Sequence, residues 1–228
     1  METLETVWQD GLRKICLPVN KFITASNKNN ILTDFFTTGK YDANREFFKT
    51  NAPAMDILVS SNLERLVWYM SGKDGDKVKE YMEKLKADGI YEVDDETFAR
   101  IQDQFKAGYL NEEEVLKTIK DCYEDNGYVL DTHTCGYGVL KQYQKETGDQ
   151  TKTILLSTAS PYKFPESVYK ALFNEELNVY DAIEKLNEKT GVAVPKPLVG
   201  IKDREVLHKT HIDKTEIINF IKSEMEGL

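Results

Sequence analysis

The sequence predicts an α/β protein, a parallel sheet with crossover helices plus a helical insertion. Three short apolar segments, at residues 19–25, 55–59 and 153–156, each end in small polar residues. The first two precede segments with helical apolar spacing, and this order of strand, turn and helix is typical of parallel sheets. Residues 73–127 form a long charged region with helical spacing and no convincing strand. We therefore expect a helical insertion at 73–127 that covers the sheet.

The chain before the first predicted strand has the spacing of an amphipathic helix. The apolar residues that fall toward one face are Leu4, Val7, Leu12 and Ile15. Pro18 cannot continue a helix and ends the pattern. We predict a helix at 1–17, of a role that the sequence does not indicate, and a domain at 18–228.

The remaining helices are predicted from apolar spacing and from residues that stop helices. The predicted segments are 31–36, 63–70, 78–85, 98–105, 115–122, 139–143, 166–173, 179–189 and 214–225. The dipeptides at 88–89 and 126–127 both end in Gly and mark helix ends. Residues 192–199 contain two prolines and are expected to be extended.

The segment at 153–156 is the most informative part of the sequence. Its continuous apolar run is typical of a strand buried on both faces, and it ends in the small residues 157–161. Ligands of open α/β sheets bind at the carboxyl ends of strands, so these hydroxyl groups are candidate ligand contacts. The alternative is a strand followed by an ordinary capping loop, because Ser and Thr are favoured helix caps.

Composition excludes several classes of function. The 228 residues are enough for one large α/β domain or two small ones. A net charge of −9 argues against a nucleic-acid-binding surface. No apolar run approaches the roughly 18 residues of a membrane span, and the N-terminus lacks the pattern of a secretory signal. We expect a cytoplasmic protein with neither nucleic acid nor membrane as partner.

The spacing of the cysteines and histidines does not indicate a metal site. Cys16, Cys122 and Cys135 have no metal-binding spacing and are interpreted as reduced thiols. His208 and His211 lack the third ligand that a divalent metal needs, so no metal site is expected. Asp131 lies two residues from His133, as an acid/base pair or, more commonly, as a capping residue beside a hydrogen-bonded histidine.

Five ordered motifs resemble threonine synthase, a family of pyridoxal 5'-phosphate (PLP) enzymes of the tryptophan-synthase-β-like group. The matching pieces are LPVNKFITASNKNNILTDFFTTGKY at 17–41, APAMDILVSSNLERL at 52–66, GYVLDTHT at 127–134, LLSTASPYKFPESV at 155–168 and PKPLVGIKDREVLHKT at 195–210. They cover nearly everything after residue 17. The resemblance implies that the sheet is part of a fold-type II PLP enzyme.

The same resemblance implies a reaction and a site. The family converts O-phosphohomoserine and water into threonine and phosphate, with a lysine that holds PLP as a Schiff base. A hydroxyl residue faces the pyridine nitrogen of the cofactor, and Thr158 is similar to that residue, with Ser157 the alternative. Family motifs also assign substrate-pocket positions to Asn27, Asn29, Asn30, Ser60, Ser61 and Asn62.

Two parts of the family pattern have no match in this chain. The family's Schiff-base lysine lies in an S-F-K-D type motif, and a Gly-rich loop of the G-N-F-G type holds the cofactor phosphate. Neither motif occurs, so we assign no catalytic residue here. We expect the C-terminal part of the enzyme, with little activity or PLP binding alone, whose partners are an N-terminal half and O-phosphohomoserine. Thr132 and Ser160 also depart from the family, which carries Pro and often His there.

Three functions are therefore weighed. The first is a threonine synthase fragment. The second is a non-catalytic interaction or dimerisation module that keeps the fold and forms a homo-oligomer. The third is a phosphate or amino-acid binding protein that uses Lys28 or Lys163 near the predicted strand ends.

Overall fold

The computed structural model describes residues 19–134 and 136–226. The helix predicted at 1–17 lies outside the described residues, as does Cys135. The chain divides into two compact units, of which the first ends at Ala193 and the second begins at Val194. No helix in the described ranges is long and apolar enough to cross a bilayer.

Four strands and nine helices occur in the described ranges. The strands are β1 (Phe22–Ser26), β2 (Lys40–Asp42), β3 (Ile90–Glu92) and β4 (Phe105–Tyr109). The helices are α1 (Ile31–Thr38), α2 (Leu63–Met70), α3 (Gly75–Asp88), α4 (Asp95–Gln104), α5 (Glu112–Asn126), α6 (Gly136–Thr147), α7 (Pro165–Phe173), α8 (Val179–Thr190) and α9 (Ile217–Glu226).

A parallel pair of strands, β1 and β4, lies at the centre of the first unit. Phe22 pairs with Phe105 at one end of the ladder, and Ser26 pairs with Tyr109 at the other. Helices α1 and α6 pack on both strands. Because the strands are parallel, their carboxyl ends lie at the same edge. The predicted α/β class with a parallel sheet is confirmed.

The region at 73–127 contains two strands, so the prediction of no strand there is wrong. Strand β4 reads FKAGY and contains Ala107 and Gly108, which give it little of the apolar alternation that marks a strand. Packing explains the small residue at Gly108. A Cβ atom there would lie 2.8 Å from Cγ1 of Val139, so glycine lets α6 approach the sheet.

The second ladder is the antiparallel pair of β2 and β3, and it organises an aromatic core. Tyr41 pairs with Tyr91, and their rings stack with centroids 5.3 Å apart at an interplanar angle of 8°. Tyr81 of α3 stacks on the other side, 5.5 Å from Tyr91. We call Tyr41, Tyr81 and Tyr91 the tyrosine stack. All three rings are buried, together with Phe35 of α1.

The predicted helices are confirmed with small shifts at their ends. Asn111 and Glu114 form a capping box at the start of α5, in which each side chain bonds the other's backbone N–H. Gly89 and Gly127 follow α3 and α5 with φ of 73° and 66°, which confirms the predicted stops. The segment at 192–199 includes a short 3-10 turn at Lys196–Leu198.

Two predicted strands are absent from the described structure. Residues 55–59 follow a 3-10 turn at Pro53–Met55, and the Asp56 carboxylate binds the preceding loop, which bends the backbone away from a ladder. At 153–156, Ile154 is 66% exposed, Leu155 36% and Leu156 37%. The prediction of a buried strand at 153–156 is wrong for this structure, because no described strand lies beside it.

Candidate functional site

The carboxyl end of β1 leads into a buried cluster of amide side chains. Nδ2 of Asn27 donates to Oδ1 of Asp56 at 2.8 Å and to Oγ1 of Thr50 at 3.0 Å. Nδ2 of Asn29 donates to the same Asp56 oxygen at 2.9 Å and to the Phe48 carbonyl at 2.8 Å. An amide nitrogen has two hydrogens, so all four donors are used within the protein.

The acceptors of this cluster are also engaged. Oδ1 of Asn27 accepts from the backbone N–H of Asn29, and Oδ1 of Asn29 accepts from that of Phe48, both at 2.9 Å. The two asparagines therefore hold the loop at 48–56 against the end of β1. Their contact with substrate stays a prediction.

The other predicted substrate residues lie along the neighbouring loops. Oδ1 of Asn30 accepts from Nη1 of Arg45 at 3.2 Å. Ser60 is buried, and its backbone N–H donates to the Tyr41 hydroxyl at 2.8 Å. Ser61 is exposed, and Asn62 precedes α2 without capping it through its side chain. Their roles in binding also stay predictions.

A second polar cluster consists of the buried residues Asp131 and Thr134 and the exposed Ser157, and we call it the hydroxyl cluster. Asp131 is 2% exposed. Its Oδ2 accepts from the hydroxyls of Ser157, at 2.8 Å, and of Thr134, and its Oδ1 accepts from the backbone N–H of His133 at 2.7 Å. The two hydroxyl oxygens lie 3.2 Å apart. The cluster joins the turn before α6 to the exposed segment that follows residue 156.

The hydroxyl cluster lies near the last residues of β1. A Cβ atom at Gly136, the first residue of α6, would lie 3.9 Å from the Ala25 Cβ and 3.1 Å from Cδ1 of Leu155. The end of β1, the start of α6 and the segment at 155–157 therefore meet. This is the edge of the sheet at which ligands of α/β proteins bind.

Thr158 follows the hydroxyl cluster and is exposed. The described residues provide no hydrogen-bond partner for its hydroxyl group. Ser160 accepts from the backbone N–H of Tyr162 at 3.2 Å and caps a 3-10 turn at Pro161–Lys163. Thr132 is buried, and its Oγ1 has no partner among the described residues.

His133 lies beside the hydroxyl cluster and against an aromatic ring. Its imidazole centroid is 5.6 Å from that of Phe164. Burial lowers the pKa of His133, with Lys163 acting in the same direction, while the charge of Asp131 opposes the shift. The imidazole is therefore neutral near pH 7. Its acid/base role stays a prediction.

The cationic candidates are placed against aromatic rings. Nζ of Lys28 lies 3.7 Å from the centroid of Phe48, and Nζ of Lys163 lies 5.7 Å from that of Phe164. His208 and His211 are exposed. In the described ranges, no group of three or more His, Cys, Asp or Glu side chains is arranged to hold a metal.

Two acceptors of the site were not identified from the sequence. Asp56 receives hydrogen bonds from both asparagines, and Asp131 receives one from Ser157. A charged residue inside an otherwise apolar strand candidate was the available signal for Asp56. Asp131 was noticed beside His133, but its bond to Ser157, 26 residues away, has no signature in residue spacing.

Comparison with known proteins identifies the class and then the family. A family model described as "Threonine synthase, C-terminal" matches residues 134–213. Human threonine synthase-like 1 is 37% identical over 164 residues, which are 71% of this chain and 22% of that protein. The fold is that of the fold-type II PLP class.

Solved structures lead to the same family. The crystal structure of yeast threonine synthase superposes with a TM-score of 0.77 at 29% identity, over 95% of this chain and 44% of that one. PLP-bound threonine synthase from Brucella melitensis gives a TM-score of 0.69 at 29% identity, over 85% and 38%. The chain is homologous to the C-terminal part of threonine synthases. It spans less than half the length of each of these relatives.

Proposed function

We propose that this chain supplies the C-terminal part of a PLP-dependent threonine synthase, which converts O-phosphohomoserine and water into threonine and phosphate. Similarity to the yeast and PLP-bound Brucella enzymes supports this proposal. The cytoplasm remains the proposed location. The Schiff-base lysine and the phosphate-binding loop are proposed to come from sequence equivalent to the part of the relatives that this chain does not match.

The observation that carries the proposal is the hydroxyl of Thr158. It is exposed, without a partner in the described residues, and adjacent to Ser157, which is bonded to a buried carboxylate. A neutral hydroxyl is what this family places at the pyridine nitrogen, so these residues fit the ring end of PLP. When bound, PLP withdraws electrons from the substrate carbons that lose protons. Thr158 is proposed to hold the ring nitrogen.

The asparagine cluster is proposed to shape the substrate side of the pocket. Asn27 and Asn29 fix the loop at 48–56, and Asn30 and residues 60–62 lie on the neighbouring turns. Neutral amide and hydroxyl groups can hydrogen-bond a phosphorylated amino acid without adding charge to the site. Because the amides of Asn27 and Asn29 are bonded within the protein, their proposed role is to shape the pocket. The proposed role of Asn30 and residues 60–62 is to orient O-phosphohomoserine.

The exposed segment at 153–156 favours an interface with a second protein part. Ile154, Leu155 and Leu156 form an apolar patch on a backbone that joins no described ladder. Contiguous exposed apolar residues mark interaction surfaces. We propose that a strand of the enzyme's N-terminal part pairs with this segment and buries it.

Reconstitution tests the proposed function. This chain is mixed with the N-terminal part of yeast threonine synthase that it does not match, with PLP and O-phosphohomoserine. Equal amounts of threonine and phosphate are expected, and Thr158→Val is expected to lose at least tenfold in rate. A folded, associated pair that forms no threonine would contradict the proposal.

A second candidate is a non-catalytic module that self-associates. The exposed apolar side chains of α9 favour it: Ile217, Ile218, Ile221 and Met225. Sedimentation of the chain alone is then expected to show a dimer that Ile218→Asp converts to monomer. A monomer at all concentrations argues against this candidate.

A further inference from the structure

The geometry points to Asp131 as a positioning residue of the cofactor-ring site, which acts through Ser157 to fix the place of Thr158. This inference rests on the proposed function. Asp131 lies 27 residues before Thr158 and makes no described contact with it, so its effect is exerted through the intervening hydroxyl.

The first argument is the cost of a buried carboxylate. Asp131 is 2% exposed, and its described partners are the two hydroxyls of the cluster and the backbone N–H of His133. All three are neutral donors. A buried charge without an opposing charge is costly unless its oxygens are hydrogen-bonded, so these donors remain committed to Asp131.

The second argument is the lack of other hydrogen-bonded anchors on the exposed segment. Asp149 accepts from the backbone N–H of Thr151 at 2.8 Å, and Ser160 begins the next turn. Between them, at 154–159, the hydrogen bonds made within the described residues are those of the Ser157 hydroxyl. The backbone position of Thr158, one residue later, therefore depends on Asp131.

The third argument is the direction of the hydrogen bonds. A serine hydroxyl has one hydrogen, and Ser157 donates it to Oδ2 of Asp131. Ser157 can then accept a hydrogen bond but has no second hydrogen to donate. Thr158 keeps its hydrogen available for a ring nitrogen. The Ser157 hydroxyl therefore anchors the segment to Asp131, and the Thr158 hydroxyl is the one that contacts the cofactor.

Backbone ¹⁵N relaxation at Thr158 in the complete 228-residue chain tests the anchoring. Wild type is expected to give an order parameter of about 0.85, and Asp131→Asn and Ser157→Ala are each expected to lower it below about 0.6. Asp149→Asn is the matched control, because Asp149 holds the other end of the same segment. It is expected to keep the wild-type order parameter at Thr158. If Asp131→Asn fails to fold, Ser157→Ala retains the test on an exposed residue.

PLP affinity of the reconstituted assembly separates positioning from general stability. Asp131→Asn, Ser157→Ala and Thr158→Val are each expected to weaken PLP binding at least tenfold, and Asp149→Asn less than twofold. Thr158→Val is expected to leave the backbone order parameters at 155–160 unchanged, because it removes the contact and not the anchor.

The outcomes are distinct. A wild-type order parameter at Thr158 in both Asp131→Asn and Ser157→Ala would overturn the inference, as would unchanged PLP affinity in both. A wild-type assembly that binds no PLP would refute the proposed function and, with it, the role of Asp131 toward the cofactor. The relaxation result would still decide whether Asp131 orders the segment.

Discussion

At the residue scale, the half-buried imidazole of His133 links the site to pH. Burial holds the pKa of His133 below the ordinary value of about 6.5. Above about pH 6.5 the histidine is neutral in both the folded and the unfolded chain, and its full contribution to stability is present. As the pH falls below that value, the unfolded chain binds a proton first, so the free energy of unfolding decreases until the folded pKa is passed.

Denaturation between pH 7 and pH 5 checks this prediction. Wild type is expected to lose stability as the pH falls, and His133→Gln is expected to reduce that slope. His208→Gln is the control, because His208 is exposed, and it is expected to keep the wild-type slope. Equal slopes for wild type and His133→Gln would contradict the prediction.

The residue types of the site could be predicted from the sequence, but their hydrogen-bond partners could not. The resemblance to the family assigns Asn27 and Asn29 to the pocket, and the structure places them at the carboxyl end of β1. Their shared acceptor, Asp56, lies 29 and 27 residues away in sequence. Local spacing carries no information on such pairs, because only the folded chain brings them within hydrogen-bond distance.

At the element scale, two glycines end helices under different packing. Gly89 and Gly127 both have positive φ, but a Cβ at Gly89 would lie 2.3 Å from Oδ1 of Asn44, whereas Gly127 has nothing within 4 Å. Gly127→Ala is expected to cost about 1 kcal/mol, from the left-handed backbone alone. Gly89→Ala must in addition displace Asn44, whose Nδ2 donates a hydrogen bond to the Asp88 carbonyl at 2.7 Å.

We therefore expect Gly89→Ala to lower the free energy of unfolding by roughly 1–3 kcal/mol more than Gly127→Ala. Chemical denaturation of both variants measures the difference. Equal losses would mean that Asn44 moves aside without cost.

Helices were predictable from the sequence, and strands less so. Spacing and stop residues predict α3, α4 and α5, because the apolar residues on the buried face of each helix recur over several turns. Strand β4 has five residues with Ala and Gly at its centre, and β2 and β3 have three residues each. Such short strands form because partners and packed helices support them, which a local pattern does not reveal.

At the scale of the whole molecule, the exposed segment at 153–156 is the surface whose burial the proposed enzyme requires. Ile154→Lys is expected to change the stability of this chain by less than about 0.5 kcal/mol, because the side chain is 66% exposed. The same change is expected to weaken association with the N-terminal part at least tenfold. A charge in a buried strand would lie unpaired.

Binding titrations of the two parts, followed by sedimentation, measure this effect. Thr151→Lys is the control, since it adds the same charge to a neighbouring exposed position. Association that tolerates Ile154→Lys as well as Thr151→Lys would exclude the segment from the interface.

The parallel sheet was predicted correctly as a class, but its strands were assigned partly to the wrong segments. The prediction at 19–25 matches β1, while the partner of β1 is β4, and 55–59 and 153–156 form no strand. A continuous apolar run predicts burial, and burial depends on which other strands are present to pair with it.

The tyrosine stack gives the protein an internal optical signal. Because Tyr41, Tyr81 and Tyr91 come from β2, α3 and β3 and are held at 5.3 and 5.5 Å, their near-ultraviolet transitions sit in a fixed chiral arrangement. The stack therefore contributes to circular dichroism near 280 nm, together with the other tyrosines and the two tryptophans, while the far-ultraviolet signal reports helix content. A variant that keeps the far-ultraviolet signal and loses the contribution of the stack has separated α3 from the β2–β3 ladder without melting the helices.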